Sequence, residues 1–389
     1  MRNVRLPSPG ISKQQTERVV ITAFGLTTSI GPTFWHTALA LRKKRSNYRE
    51  HEEVLVADNP SGSILRGATI SRLPHRLVPA NLPDIQRAAA LLAPAIRECC
   101  ADAPSEPGRK TGWRIINHCA SGEEGFLDLL RGKLPQYDLP EEALCRPQTT
   151  RCDFFDQVSL ASEELLTNRA ETVVVACVDS LCTRKRLMEL LCNGLLKDAA
   201  NPHGIMAGEA AGAVLLERES AARRRGAAIL AGIASWGAAI EPHPWTGASP
   251  STAQGLTTAF HQAFDRLDDC GASVDIMVTD ENGERQRALE WALTEGRIFP
   301  NPDQERRLCH PAVTAGDSGG ALGAVQLAAA LAYFAWHRYS ARKIALATSD
   351  DCGERRVLCL EPGDPCDRRT RMDGIRARLG CEKKTPEDA

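Results

Sequence analysis

The sequence lacks an excess of charge of either sign and contains few aromatic residues. Its 389 residues include 48 lysines and arginines against 49 aspartates and glutamates, a formal net charge of −1, and aromatic residues make up 5%. A balance of this kind offers no electrostatic basis for binding nucleic acid or an anionic membrane surface. We therefore expect neither of these as a partner.

An apolar leader and a membrane-spanning run are also lacking. Residues 1–17 are polar and carry Pro and Ser, so they predict a disordered lead and not a signal peptide. The longest apolar stretch, residues 322–336, includes Gln326 and is shorter than the about 20 residues that a membrane helix needs. These observations predict a cytoplasmic protein.

Cysteine is abundant, but its spacing does not match a metal site. None of the 14 cysteines forms a C-x-x-C pair, which excludes the common zinc-ligand spacings. A chain without a secretory leader is expected in a compartment that keeps thiols reduced. We therefore predict no disulfide, no metal and no cofactor, and interpret most of the cysteines as small buried apolar residues.

Strands and helices are predicted to alternate along the chain. Short β-branched apolar runs predict strands at residues 18–24, 113–118, 172–177, 208–217, 228–235, 274–279, 344–348 and 355–360. Apolar residues at intervals of three and four predict helices at residues 32–44, 84–100, 121–131, 156–168, 252–267, 284–295 and 319–336. Residues 45–83 are predicted to be irregular, with a turn at residues 58–63. The alternation indicates a layered α/β protein, and its recurrence in the second half indicates an internal duplication.

Four segments of the chain, in order, resemble the β-ketoacyl synthase branch of the thiolase superfamily. They are VVITAFGLTTSIG (residues 19–31), EELLTNRAETVVVACVDS (163–180), GIMAGEAAGAVLLERESAARRRGAAILAGI (204–233) and VTAGDSGGALGAV (313–325). The resemblance implies the thiolase fold, with duplicated βαβαβαββ halves in five α-β-α-β-α layers, usually as a dimer. We place the halves at residues 18–220 and 221–361, and interpret residues 362–389 as a charged tail.

The family's catalytic residues are replaced in this sequence. Ketosynthases condense acyl chains with a cysteine nucleophile at a helix N-terminus and two histidines. By resemblance, Arg151 occupies the cysteine position with Cys152 beside it, Asn282 occupies the first histidine position, and Asp317 the second. The family's closing glycine-rich turn contains Asp351 in this chain. Because neither Asn nor Asp offers an imidazole, we predict that this remnant site does not catalyse a Claisen condensation.

Several carboxylates belong to the segments that the family brings together at this site. We expect them to converge near Arg151 and to form an ion-paired floor of the cleft, rather than a hydrolytic or metal-assisted centre. They are Asp280, Glu284, Asp317, Asp350 and Asp351. Single histidines such as His118 have no paired spacing, and we interpret them as loop or core residues.

A second resemblance suggests a function without turnover. Short segments resemble thiolase-like proteins that lack the catalytic residues and accompany type VI secretion and PAAR-tip components. These segments are REHEEV (49–54), WGAAIEPHPWTG (236–247), TDENGERQRALEW (279–291) and TAGDSGGALGA (314–324). The resemblance implies a non-catalytic adaptor that binds an effector protein.

Two alternatives to the adaptor stay open. The first is a subunit like a chain-length factor, which dimerises with an active ketosynthase and shapes its acyl tunnel. Charged side chains at Arg151 and Asp153 disfavour it, because an unpaired charge inside an acyl tunnel is costly. The second is an acyltransferase that uses Cys152, although the Asp153 carboxylate beside the thiol should raise its pKa. We expect a homodimer or a heterodimer.

Overall fold

The computed structural model describes residues 17–79, 81–101, 111–119, 125–144, 150–247, 249–268, 271, 274–299, 306–336 and 341–363. Nearly all of the predicted lead and tail lies outside these ranges. The predicted start of the helix at residues 121–131 also lies outside these ranges. The helix that the structure describes there begins at Phe126.

The first part of the chain contains six strands and six α-helices among its described residues. The strands are β1 (Val19–Thr28), β2 (Tyr48–Ala57), β3 (Leu65–Ser71), β4 (Thr111–Asn117), β5 (Thr172–Ser180) and β6 (Ala207–Arg218). The helices are α1 (Phe34–Arg42), α2 (Asp84–Cys100), α3 (Phe126–Lys133), α4 (Asp153–Leu166), α5 (Arg184–Cys192) and α6 (Glu219–Arg224).

The second part contributes five further strands and four α-helices to the described fold. The strands are β7 (Ala231–Ile240), β8 (Val274–Val278), β9 (Arg307–Cys309), β10 (Lys343–Ser349) and β11 (Glu354–Pro362). The helices are α7 (Gln254–Phe264), α8 (Arg285–Ile298), α9 (Pro311–Ala315) and α10 (Leu322–Ala335), with a 3₁₀ turn (Gly319–Ala321) before α10.

The strand pairing repeats itself, which confirms the predicted duplication. Strand β1 pairs antiparallel with β6, β6 antiparallel with β5, and β5 parallel with β4. In the second part, β7 pairs antiparallel with β11, β11 antiparallel with β10, and β10 parallel with β8. The two sheets join where Val19–Ile21 of β1 pairs with Ala231–Ile233 of β7.

Alternate residues of the central strands face different helix layers. In β5, Val173 faces a central apolar cluster with α4 and α10, whereas Val174 faces an outer cluster with α2 and α3. In β10, Ile344 faces the same central cluster, whereas Ala345 faces the outer cluster of α7 and α8. The arrangement is therefore α-β-α-β-α, the five layers of the thiolase fold.

Residues 45–83 were predicted to be irregular, and this prediction was wrong. They contain the antiparallel hairpin β2–β3, with the predicted turn at residues 58–63 between its strands. Three glutamates in β2 are exposed, while His51, Val54 and Val56 of the same strand are buried. The strand pattern was not recognised because charged side chains crowd the outer face of β2. A β-bulge also interrupts the alternation of buried and exposed residues along the strand.

No helix in the described ranges has both the length and the apolarity needed to cross a bilayer. Helix α10 is the most completely buried helix, and it spans 14 residues. Its apolar residues surround the helix because it lies between two sheets and not in lipid.

A glycine in each sheet lets an outer helix approach the strand closely. A Cβ atom on Gly25 of β1 would lie 2.0 Å from the carbonyl oxygen of Ala95 in α2. A Cβ atom on Gly237 of β7 would lie 1.9 Å from the carbonyl oxygen of Ala259 in α7. Because the opposing atoms are backbone, an added methyl group can fit only if the helix moves.

Replacing Gly237 with alanine should destabilise the protein by about 1–3 kcal/mol, because the methyl group pushes α7 away from the sheet. The matched control is Gly232→Ala in the same strand, where an added Cβ meets no atom within 4 Å. Urea unfolding followed by circular dichroism measures both free energies. Equal unfolding midpoints for the two variants would contradict this helix contact.

Candidate functional site

Asp317 is held by a close approach of two backbone segments. Gly316 ends α9 with φ 81°, and its backbone lies against Gly208 of β6, where a Cβ would be 2.7 Å from the Gly316 carbonyl carbon. The Asp317 amide donates to the carbonyl of Met206 at 2.8 Å, and the Gly208 amide donates to the carbonyl of Asp317 at 2.7 Å. Two of the segments that resemble ketosynthases therefore meet at this point and fix the Asp317 side chain.

The Asp317 carboxylate binds Arg151 and Asn282, two other residues that the sequence interpretation assigned to the remnant site. Its Oδ2 atom lies 2.6 Å from Nη2 of Arg151 and accepts from Nδ2 of Asn282 at 2.5 Å. Its Oδ1 atom accepts from the amide of Gly319 at 2.9 Å. Burial raises the pKa of Asp317, but the cations of Arg151 and Arg287 and the Asn282 hydrogen bond lower it more, so the net pKa is below 3.8. Asp317 is therefore a buried, ionised carboxylate.

A second arginine, Arg287 in the first turn of α8, is the centre of a larger ion cluster. Its Nη1 lies 2.6 Å from Asp280, its Nε 2.8 Å from Glu284, and its Nη2 2.8 Å from Asp351. The Arg287 side chain is 1% exposed. Burial lowers the pKa of this guanidinium, but the surrounding carboxylates, with Asp317 farther off, raise it well above the ordinary value. Arg287 therefore stays charged inside the protein.

Asn282 links the two arginine clusters into one network. Its Nδ2 atom donates to Asp317 and also to Oε2 of Glu284 at 2.9 Å, the oxygen that accepts from Nε of Arg287. The Arg287 guanidinium also lies 4.4 Å from the ring centroid of Trp245, which adds a cation–π contact. We call the linked side chains the remnant network. Its members are Arg151, Asp280, Asn282, Glu284, Arg287, Asp317, Asp351 and Trp245.

The carboxylates do not all converge on Arg151, so that prediction was wrong in part. Asp317 pairs with the Arg151 side chain, and Asp350 accepts from the Arg151 backbone amide at 3.2 Å. The remaining three carboxylates bind Arg287, which the sequence interpretation missed. The available signal was the spacing of Glu284 and Arg287, three residues apart at a helix start.

Cys152 lies beside Arg151 but faces away from the network. It is the N-cap residue of α4, and its Sγ atom lies 3.6 Å from the carbonyl oxygen of Glu354 and 3.9 Å from that of Thr348. The thiol is fully buried, and burial is the main cause of a pKa raised well above the usual range. The Arg356 cation opposes this shift, and the carboxylates of Asp156, Asp350 and Glu354 add to it.

The Asp153 carboxylate lies instead near a buried histidine. Its Oδ2 atom is 3.5 Å from Nε2 of His118, whose ring packs over Gly320 in the turn before α10. Burial lowers the pKa of His118, so the ring is neutral at physiological pH. The His118 side chain is 8% exposed and lies directly after β4. No group of three or more metal-ligating side chains was found in the part of the chain that the structure describes.

Comparisons with known proteins relate this fold to ketosynthases. No protein-family model matches the chain, and no curated protein matches it. A chain in a complex of a type II PKS acyl-carrier protein with its ketosynthase is 14% identical with a TM-score of 0.72, covering 90% of this chain and all of that one. The ishigamide ketosynthase/chain length factor is 19% identical with a TM-score of 0.69, covering 89% and 99%.

A third solved structure gives the same result. The β-ketoacyl synthase from Burkholderia phymatum STM815 is 15% identical with a TM-score of 0.67, covering 89% of this chain and 99% of that one. Identities in this range show the fold alone. The protein thus has the thiolase fold of the β-ketoacyl synthases.

Asp317→Asn should destabilise the protein by about 3–5 kcal/mol near neutral pH, because it leaves the Arg151 cation without its buried partner. Since the folded pKa of Asp317 is below 3.8, its ionised form stabilises the fold above that pH, and the contribution is lost as the pH falls through the folded pKa. The gap between wild type and variant should therefore be constant above about pH 5 and shrink towards pH 2.

Urea unfolding across that pH range measures the gap. Asp58→Asn is the matched control, since the Asp58 side chain is 44% exposed and pairs with Arg66 at the surface. Its effect should stay within about 1 kcal/mol at every pH. A gap for Asp317→Asn that is no larger than this control, or that does not change in acid, would contradict the ionised buried pair.

Proposed function

We propose that this protein is a non-catalytic thiolase-fold subunit that acts by binding another protein. The observation that carries the proposal is the mutual pairing of Arg151, Asn282 and Asp317 at the three positions where ketosynthases have a cysteine and two histidines. Each of these side chains uses its charge or hydrogen bond on another member of the group. None of the three supplies a thiolate or an imidazole.

The geometry also argues against a displaced nucleophile at Cys152. A reactive cysteine needs a thiolate that substrate can reach, and its pKa must be low enough for that thiolate to form. The Cys152 thiol is fully buried, points to two carbonyl oxygens, and has a raised pKa. All three features oppose the acyltransferase alternative.

Iodoacetamide applied to the native protein at about pH 8 should alkylate the exposed Cys192 and leave Cys152 unmodified, because buried thiols react slowly. Peptide mass spectrometry measures the modified fraction at each site. The same reaction in urea is the control, since both thiols should then be alkylated. If Cys152 is modified as fast as Cys192 in the native protein, or carries an acyl group after incubation with an acyl thioester, the non-catalytic proposal fails.

One partner class is an active ketosynthase, and the structure removes an objection to it. Charge at Arg151 was expected to be costly beside an acyl tunnel, but the guanidinium is paired with Asp317 at 2.6 Å and is not left uncompensated. Two of the similar structures are ketosynthase/chain length factor proteins. These observations favour a subunit like a chain-length factor in a heterodimer.

The other partner class is a secretion effector, which rests on sequence resemblance. Three of the four segments that carry that resemblance contribute to the remnant network. TDENGERQRALEW supplies Arg287, WGAAIEPHPWTG supplies Trp245, and TAGDSGGALGA supplies Asp317. Internal packing therefore accounts for the residues that these segments contribute. REHEEV instead presents exposed Glu50, Glu52 and Glu53 on β2, so an adaptor surface would lie there.

Affinity purification from the native cells, followed by mass spectrometry, separates the two classes. We expect a ketosynthase or its acyl-carrier protein to be recovered in a stoichiometric complex. Recovery of a secretion effector or PAAR-tip protein, lost in a variant with Glu50, Glu52 and Glu53 changed to Lys, would establish the adaptor and exclude the ketosynthase partner. A protein that purifies alone would contradict both forms of the proposal.

A further inference from the structure

A surface cavity of about 350 Å³ lies between α1, β9 and α10, apart from the remnant network. None of the residues of that network contributes to its lining. Its volume is at the lower end of the about 300–1,000 Å³ range of small-molecule sites. The size therefore suits a compact ligand.

Small side chains create the space. Ala38 of α1 and Ala329 and Ala332 of α10 line the cavity, and all three are buried. Ala329 and Ala332 lie three residues apart and therefore share one face of the helix. Each of these three side chains ends at a methyl group. They therefore do not fill the space between the neighbouring elements, and a cavity is left there.

Aromatic rings and cations complete the lining. Tyr333 and Trp336 extend the α10 wall, and the Arg42 guanidinium lies 4.7 Å from the centroid of the Trp336 ring. Lys44 and Arg307 are also lining residues, and all three cations are solvent-exposed at the rim. The described lining residues include no carboxylate, and Arg42 and Lys44 place two positive charges beside an apolar floor.

We propose that this cavity binds a small carboxylate with an aromatic or short aliphatic body. The alanine floor and the aromatic walls would bury the body, while the rim would receive the anionic group. Arginine is suited to this role because its planar guanidinium can donate two parallel hydrogen bonds to one carboxylate. Stacking of Arg42 on Trp336 restricts that side chain before a ligand arrives, which lowers the entropic cost of binding. The site is independent of the proposed partner and of the remnant network.

Isothermal titration calorimetry with 2-naphthoate and octanoate tests the proposal, with 2-naphthamide as a neutral analogue of the first ligand. We expect the wild-type protein to bind the carboxylates and to bind the amide at least about tenfold more weakly, since a charge-assisted contact is lost. The double variant Arg42→Gln, Lys44→Gln should weaken carboxylate binding about tenfold and leave amide binding unchanged. Arg66→Gln, an exposed cation on β3, is the matched control and should bind like wild type.

A cavity-filling variant locates the site. Ala332→Leu should abolish binding of both carboxylates, and its circular dichroism and thermal unfolding report whether the fold is retained. If that variant does not fold, the rim variants decide the question alone. Equal affinity for naphthoate and naphthamide, unchanged binding in the double rim variant, or binding that persists in a folded Ala332→Leu protein would each overturn the proposal.

Discussion

The buried charge of Arg287 constrains how several segments are arranged at the centre of this protein. A guanidinium that is 1% exposed must be neutralised and hydrogen-bonded, or the fold pays the cost of an uncompensated charge. The carboxylates that satisfy it come from the segment after β8, from the start of α8 and from the turn between β10 and β11. These segments are therefore held in one relative arrangement by a single side chain. Asn282 donates hydrogen bonds both to Glu284 and to Asp317, so the position of Asp317 and of its partner Arg151 is coupled to this arrangement.

The proposed loss of catalysis is compatible with a closely packed site, because the side chains of this network pair with one another. The glycines near Asp317 are needed for backbone approach, and they remain useful whichever side chain stands beside them. The ion pair of Arg151 with Asp317 brings two buried or half-buried charges together, and each compensates the other. Replacing one partner alone would leave a buried charge, so the positions are expected to change together or not at all.

Much of the fold could be predicted from sequence, and the failures have physical causes. Helix α2 has the predicted bounds because its apolar residues form an unbroken stripe from Asp84 to Cys100. The hairpin β2–β3 was missed because its outer face is crowded with glutamates. At the site, resemblance placed Arg151, Asn282 and Asp317 together, and they are in contact. The spacing of Glu284 and Arg287 indicated an ion pair but not its burial, because an arginine on a helix is usually solvent-exposed and only tertiary structure shows that this one is enclosed.

The junction of β1 with β7 has a consequence for the order in which the molecule forms. Val19–Ile21 is made well before its partner Ala231–Ile233, which lies about 210 residues later in the sequence. During synthesis the first sheet can assemble with β6 alone, leaving the start of β1 unpaired on its other side until the second half emerges from the ribosome. The seam between the halves is thus a late and non-local contact. A chaperone, or a partner that recognises an open strand edge, would have its longest opportunity at this point in the life of the chain.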